Sequence, residues 1–122
     1  MLLTEFYTIT RQEENEGKVN FQIKLNPKHA IYNGHFPSQP VLPGVCTLQI
    51  IKECAERLTN THLQYTHIST CKFLSSVDPV LNNEINLSLA IGENPDNLLT
   101  LAATGIYNGN IFIKLKALVK TT

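Results

Sequence analysis

The sequence predicts an α+β fold in which an antiparallel sheet wraps around one long central helix. Three observations support this prediction. One segment has helical periodicity, the segments on both sides of it alternate between apolar and polar residues, and short turns separate the last strands. A helix that is apolar on much of its circumference needs cover on several sides, and a curled sheet provides it. The 122 residues are expected to form a single domain spanning 1–122.

Two strands are predicted before the helix. Residues 2–10 are rich in Thr, Tyr and Phe, and the polar segment 11–18 is interpreted as a turn because it contains Gly17. The next segment alternates with a period of two, which is typical of a half-buried strand. Its four apolar residues are Val19, Phe21, Ile23 and Leu25.

The helix is predicted over 45–58. Segment 26–44, which precedes it, contains too many Pro and Gly residues for a regular element. Pro43 and Gly44 favour a helix start, since a proline at that position loses no needed donor. The apolar stripe of the helix consists of Val45, Leu48, Ile51, Ala55 and Leu58, widened by Ile50 and Cys54.

Three or four antiparallel strands are predicted after the helix. The segments with alternating character are 64–74, 83–91, 98–107 and 111–119. Between the last three, the turn signals "ENPDN" and "NGN" leave room only for short connections, so these strands are expected to be neighbours in the sheet.

Composition excludes several classes of protein. Ten Lys and Arg residues balance ten Asp and Glu residues, which argues against nucleic-acid binding through a general basic field. The N-terminus lacks a basic region followed by an apolar run, and no segment approaches the roughly 20 apolar residues of a membrane-spanning helix. We therefore expect a cytoplasmic protein with no membrane association.

The cysteines and histidines do not form a metal-binding pattern. The three cysteines are widely spaced with no CxxC pair, and are interpreted as reduced structural thiols. The four histidines are not spaced with them as zinc ligands would be. The residues concerned are Cys46, Cys54, Cys71, His29, His35, His62 and His67.

Residues 34–45, "GHFPSQPVLPGV", carry a resemblance to a known family. They resemble the signature of the 3-hydroxyacyl-acyl-carrier-protein dehydratases, which have the hotdog fold. Segment 68–80, "ISTCKFLSSVDPV", is similar to the strand and proline-containing turn that follow the helix in these enzymes. Nine positions match the signature: Gly34, His35, Phe36, Pro37, Pro40, Val41, Pro43, Gly44 and Val45.

The resemblance implies roles for two residues. Elimination of water from a 3-hydroxyacyl thioester requires a base for the C2 proton and a donor that polarises the thioester carbonyl. The family assigns the base to the position of His35 and a backbone N–H donor to that of Gly44. The predicted helix start supports the second role, because unpaired N–H groups and the positive end of the helix dipole favour a developing anion.

The chain departs from the family at Gln49. The family has a glutamate or aspartate fourteen residues after its histidine, where this chain has an amide that cannot pass a proton at neutral pH. Glu53 lies four residues further on, about 6 Å along the helix axis. That displacement is too large for Glu53 to reach the same hydroxyl, so Glu53 is interpreted as a solvated glutamate near other charged residues.

Three functions are therefore compatible with the sequence. The first is a dehydratase of fatty-acid or polyketide-type synthesis in which His35 does most of the work and Gln49 orients substrate or water. The second is a hotdog thioesterase in which Gln49 holds the attacking water or the carbonyl. The third is a non-catalytic subunit that binds acyl thioesters, for example as half of a mixed dimer whose partner supplies a carboxylate.

The resemblance also implies an assembly and a carrier. We expect a homodimer or a trimer of dimers with shared active sites, and no cofactor or metal of the chain's own. The acyl group would arrive on the phosphopantetheine of an acyl-carrier protein, or on coenzyme A, and the lysines and arginine expected near an acidic carrier are Lys28, Lys52, Arg57 and Lys72. The expected substrate-binding residues are Phe36, Pro43, Val45, Leu48 and Phe73, with Ile31 also lining the acyl tunnel.

Overall fold

Six antiparallel strands form one sheet against an α-helix in the part of the chain that the structure describes. The structure is a computed structural model, and it describes residues 5–32 and 40–122. The elements are β1 (Tyr7–Asn15), β2 (Lys18–Leu25), a short 3-10 helix (Ala30–Tyr32), α1 (Gly44–Thr59), β3 (Leu63–Phe73), β4 (Glu84–Glu93), β5 (Leu99–Tyr107) and β6 (Asn110–Thr121). The strand order in the sheet is β1-β2-β4-β5-β6-β3, so β1 and β3 are its two edges.

The strand predictions are confirmed except at the N-terminus. The segment predicted as a turn at 11–18 instead continues β1 to Asn15, and the turn is confined to Glu16 and Gly17, whose φ angles are +52° and +82°. The error has a physical cause, because residues 11–15 are exposed on both faces and are held by pairing with β2 rather than by burial. Of the predicted first strand, residues 2–4 lie outside the described residues, and the strand itself begins at Tyr7.

The boundaries of α1 follow the predicted signals. Pro43 is extended (φ −64°, ψ 143°) and immediately precedes the helix, while Asn60 has left-handed geometry (φ 55°, ψ 39°) and ends it. The predicted apolar stripe was wrong in one respect, since Val45 is 76% exposed. The face that packs on the sheet follows two rows spaced by four residues: Cys46, Ile50 and Cys54, and Thr47, Ile51 and Ala55.

The core lies between α1 and the apolar face of the sheet. Alternation along β2 and β4 places one set of side chains inward and leaves the polar set outward. The largest buried side chains on the sheet include Phe21, Ile23, Leu87, Leu101, Ile113 and Leu115. The predicted arrangement of an antiparallel sheet wrapped around one helix is therefore confirmed. No helix within 5–32 and 40–122 is long and apolar enough to span a bilayer.

Candidate active site at the start of the helix

The two sequence blocks that carry the family resemblance meet in space. The backbone N–H of Leu42, just before α1, donates to the carbonyl of Val77 at 2.9 Å. Val77 belongs to the segment after β3, and this segment is held in turn by the hydroxyl of Tyr107, which donates to the carbonyl of Asp78 at 2.6 Å. The path of the chain into α1 is thus fixed by residues more than thirty positions away.

The first turn of α1 presents backbone donors. The N–H groups of Cys46 and Thr47 both donate to the carbonyl of Pro43, at 3.0 and 3.1 Å. Among the described residues, none accepts a hydrogen bond from the N–H of Gly44 or Val45. Because these groups also lie at the positive end of the helix dipole, they suit an anion or a polarised carbonyl oxygen.

Gly44 permits a close approach of the Phe73 ring to the first turn of the helix. A methyl group at this position would lie 2.9 Å from Cζ of Phe73, inside van der Waals contact. Phe73, at the end of β3, is 49% exposed and covers the first turn of the helix. The expected site residues Gly44 and Phe73 are therefore in direct contact, and Pro43 and the exposed Val45 adjoin them on the chain.

Gln49 is part of a hydrogen-bonded group with two other side chains. Its Nε2 donates to Oε2 of Glu53 at 2.7 Å. The other carboxylate oxygen of Glu53, Oε1, accepts from the hydroxyl of Tyr7 at 2.6 Å. The interpretation of Glu53 as a solvated glutamate was therefore wrong, because the carboxylate accepts hydrogen bonds from both Tyr7 of β1 and Gln49.

Edge strands hold α1 from both sides. Tyr7 of β1 reaches Glu53, and Tyr65 of β3 donates from its hydroxyl to the backbone carbonyl of Leu48 at 2.8 Å. Leu48 itself is half-buried and packs against the core. These two contacts bracket Gln49 along the helix, so its backbone position is set by both edges of the sheet.

Burial raises the pKa of the tyrosine and cysteine side chains around this part of the helix. Burial raises the pKa of Tyr7, and its hydrogen bond to Glu53 raises it further, so Tyr7 acts as a donor. Burial likewise raises the pKa of Tyr65 and that of the Cys46 thiol, and burial with the nearby charge of Glu53 raises the pKa of Cys54 to about 12. A protonated thiol is a poor nucleophile, so neither cysteine suits covalent catalysis.

An open cavity of about 430 Å³ borders Glu53. It lies beneath β1, along the second half of the helix, and reaches the turn after it. Its lining residues are Tyr7, Ile9, Glu53, Glu56, Arg57, Asn60, Thr61 and His62. The lining includes the charged groups of Glu53, Glu56 and Arg57, and the space is open to water.

Two of the site residues predicted from the sequence, His35 and Phe36, lie outside the described residues. The structure adds Tyr7 and Tyr65, which the sequence interpretation missed. A further residue is Tyr32, whose buried hydroxyl has no hydrogen-bond partner within the described ranges. No local sequence pattern predicts a role for these three tyrosines, because their surroundings are set by the tertiary structure rather than by neighbouring residues.

Comparison with known proteins identifies a family and a fold. Residues 10–107 match the family model described as ApeI-like, ApeI dehydratase. The chain is 25% identical over 93 residues to the 3-hydroxyacyl-[acyl-carrier-protein] dehydratase FabZ of Janthinobacterium sp. (strain Marseille), covering 68% of this chain and 58% of FabZ. The chain thus spans less than two thirds of the length of this curated relative.

Solved structures show the same architecture. The dehydratase heterocomplex ApeI:P from Xenorhabdus doucetiae aligns with a TM-score of 0.72 and 23% identity, covering 93% of this chain and 96% of that one. A candidate thioesterase, yhdA from Lactococcus lactis, aligns with a TM-score of 0.69 and 12% identity, covering 100% and 96%. The predicted hotdog fold is confirmed, and it is shared by proteins described with two different activities.

Proposed function

Because this chain belongs to the ApeI-like dehydratase family, we propose that it eliminates water from a 3-hydroxyacyl thioester to give the conjugated enoyl thioester. The observation that carries the proposal is the pair of available backbone donors at the start of α1. There, the N–H groups of Gly44 and Val45 have no acceptor among the described residues, and Phe73 covers the glycine. A thioester carbonyl placed against these donors would be polarised as negative charge develops on its oxygen.

Proton removal is assigned to His35. A neutral imidazole is a suitable base near neutral pH, and the motif that contains His35 leads directly into the helix start. The imidazole takes the C2 proton, and electrons from the C2–H bond form the double bond as the C3–O bond breaks. This assignment depends on the motif, since His35 is outside the described residues.

The leaving hydroxyl requires a proton that Gln49 cannot supply. An amide can bind a hydroxyl but does not transfer a proton at neutral pH. In the proposed reaction the imidazolium formed at His35 returns its proton to the departing oxygen, which leaves as water. Gln49 then holds the hydroxyl in position, and the atoms balance without a second acid.

Carrier and assembly follow from the family in the same way. We propose an acyl group carried on the phosphopantetheine of an acyl-carrier protein, which the described substrate of the FabZ relative supports. Coenzyme A is the alternative carrier. Three apolar side chains are exposed near the helix start: Val45 in the first turn, Phe73 at the end of β3, and Leu74 after it. They suit an acyl chain enclosed by a second subunit. That subunit is another copy of this chain or, as in the ApeI:P heterocomplex, a different one.

Incubation with matched thioesters tests the proposal. A 3-hydroxyacyl pantetheine thioester should yield the enoyl product, followed by mass spectrometry, and His35→Ala should abolish its formation. His62→Ala is the matched control, because this exposed histidine follows α1 and should leave the rate unchanged. Undiminished enoyl formation by His35→Ala would show that the base assignment is wrong.

Thioester hydrolysis is the second candidate. It is favoured by Gln49 itself, because an amide can orient an attacking water although it cannot act as a general acid. Release of free pantetheine thiol from a saturated acyl thioester, without enoyl product, would identify a thioesterase. Tight binding of both thioesters without turnover would identify a non-catalytic acyl-binding subunit.

A further inference from the structure

We propose that Glu53 is a positioning residue that turns the amide of Gln49 so that its carbonyl oxygen accepts a hydrogen bond from the substrate's 3-hydroxyl. That the bound group is the hydroxyl of a 3-hydroxyacyl thioester rests on the proposed function. The orientation of the amide is argued from the contacts of Glu53, and the two parts of the proposal are tested separately.

Glu53 dictates the amide orientation because a carboxylate only accepts hydrogen bonds. Its Oε2 lies 2.7 Å from Nε2 of Gln49, a distance that requires the amide nitrogen rather than the amide oxygen on that side. The carbonyl oxygen of Gln49 therefore lies on the other side of the amide carbon, away from Glu53. Reversal of the amide would bring two acceptor oxygens together.

The carboxylate of Glu53 is itself held in place. Its second oxygen accepts from the Tyr7 hydroxyl at 2.6 Å, and Tyr7 is fixed by the pairing of β1 with β2, where it lies opposite Leu25. Glu53 and Gln49 are four residues apart on one helix, a spacing that places their side chains on the same face. Rotation of Glu53 away from Gln49 would break the Tyr7 bond as well.

This arrangement keeps one function of the family's carboxylate and removes another. An amide oxygen can accept from a substrate hydroxyl as a carboxylate oxygen does, so recognition of the 3-hydroxyl is retained. Proton donation is lost. A carboxylate at 49 would lie beside that of Glu53, and two like charges at this distance cannot both ionise without a large cost. The amide avoids that conflict.

Glu53→Ala tests the positioning role, with Glu56→Ala as the matched control. Glu56 is also half-buried on α1, but its carboxylate accepts from the backbone N–H of Leu63 rather than from Gln49. We expect Glu53→Ala to raise KM for the 3-hydroxyacyl thioester about tenfold with kcat nearly unchanged, on the scale of one lost hydrogen bond. Glu56→Ala should leave KM unchanged. The cavity beside Glu53 lets water solvate Tyr7 in the variant.

Glu53→Gln serves as the conservative rescue. Its amide oxygen can still accept from Nε2 of Gln49, so KM should stay within about threefold of the original value. Affinity for a saturated acyl thioether, which has no 3-hydroxyl, should not differ among the original protein and the three variants. Equal KM values for Glu53→Ala and Glu56→Ala, or equal losses of both acyl ligands, would overturn the proposal.

A spectroscopic measurement separates this proposal from the proposed function. In ¹⁵N-labelled protein, the side-chain amide resonances of Gln49, assigned with Gln49→Ala, should shift in Glu53→Ala and stay in place in Glu56→Ala. If the protein forms no enoyl product but these resonances shift, the proposed function fails and the positioning by Glu53 stands. If they do not shift, the positioning by Glu53 is wrong whatever the activity.

Discussion

The two halves of α1 differ in how completely their polar groups are satisfied. In the second half, Asn60 ends the helix in left-handed geometry, the Thr59 hydroxyl donates to the Ala55 carbonyl at 3.0 Å, and Glu56 accepts from the Leu63 N–H at 2.8 Å. In the first turn, by contrast, the Gly44 and Val45 N–H groups have no acceptor among the described residues.

The two parts of α1 are therefore expected to have different roles, the first turn in the proposed function and the rest of the helix in stability. The helix beyond its first turn contributes the fully buried side chains of Ile50, Ile51 and Cys54, while the first turn exposes the side chain of Val45 and leaves backbone donors available. Departures from good packing and full hydrogen bonding are expected where a protein binds its substrate. Substitutions in the two regions should therefore affect different measurements.

The largest expected effect is on stability, from Ile50→Ala. Ile50 is fully buried, so its truncation should lower the free energy of unfolding by about 2–5 kcal/mol. Val45→Ala, in the same helix but exposed, should change it by less than about 0.5 kcal/mol. Urea unfolding at one fixed protein concentration measures both. Similar losses for the two variants would contradict the division of the helix into two regions.

Gly44→Ala should lower the activity while leaving the stability nearly unchanged, the reverse of the effect expected for Ile50→Ala. The added methyl group would occupy the space beside the helix donors and lower the rate of enoyl formation about 10²-fold, as loss of an oxyanion donor does. The free energy of unfolding should stay within about 1 kcal/mol, because alanine favours a helix and the half-exposed Phe73 ring can move aside.

Gly105→Ala is the control for Gly44→Ala. A methyl group there would lie 2.6 Å from Cε1 of Phe112 and 2.7 Å from Cγ2 of Ile113, both of which are buried. It should lower the free energy of unfolding by about 1–3 kcal/mol through overpacking. If Gly44→Ala lost stability and kept its activity, the helix start would be structural rather than functional.

The smallest expected effect is on the rate of enoyl formation, in the double variant Gln49→Glu/Glu53→Gln, which exchanges these two side chains. This double variant conserves the net charge and moves the carboxylate to the family's position, where it can donate a proton to the leaving hydroxyl. We expect enoyl formation to rise at least about tenfold, toward the range typical of a general acid.

The single variant Gln49→Glu sharpens this measurement. Gln49→Glu alone would place its carboxylate beside Glu53, and the repulsion should raise the pKa of one member of the pair. Its rate should therefore fall as pH rises through that raised pKa, because the proton needed by the leaving group is lost. An exchange variant with an unchanged rate would show that proton donation at this position does not limit the reaction.

Local patterns predicted most of the fold. The alternation of β2, the Pro43–Gly44 helix start and the hairpin at Asn108 and Gly109 depend on neighbouring residues, and the structure confirms each of them. The polar extension of β1 was wrong because its residues are ordered by backbone pairing rather than by a buried face. Backbone pairing leaves no periodic pattern in the side chains.

The site was predictable only in part. The motif and the helix register predicted the positions of Gly44 and Gln49 on the helix, and Phe73 lies in the second block of resemblance; their roles in the site stay predictions. Tyr7 and Tyr65 had no such signal. Each contacts the helix from an edge strand, and the pairing of tyrosine with helix residue is decided by how far the sheet curls.

By itself the sequence determined that one helix begins at the Pro43–Gly44 pair, that strands surround this helix, and that Gln49 lies in its second turn. Only the tertiary structure decided the surroundings of that amide. Glu53 accepts a hydrogen bond from Tyr7, 46 positions away, because the edge strand β1 lies beside that part of the helix. Spacing along a helix fixes which side chains share a face, whereas the packing of the sheet decides which of them are removed from solvent.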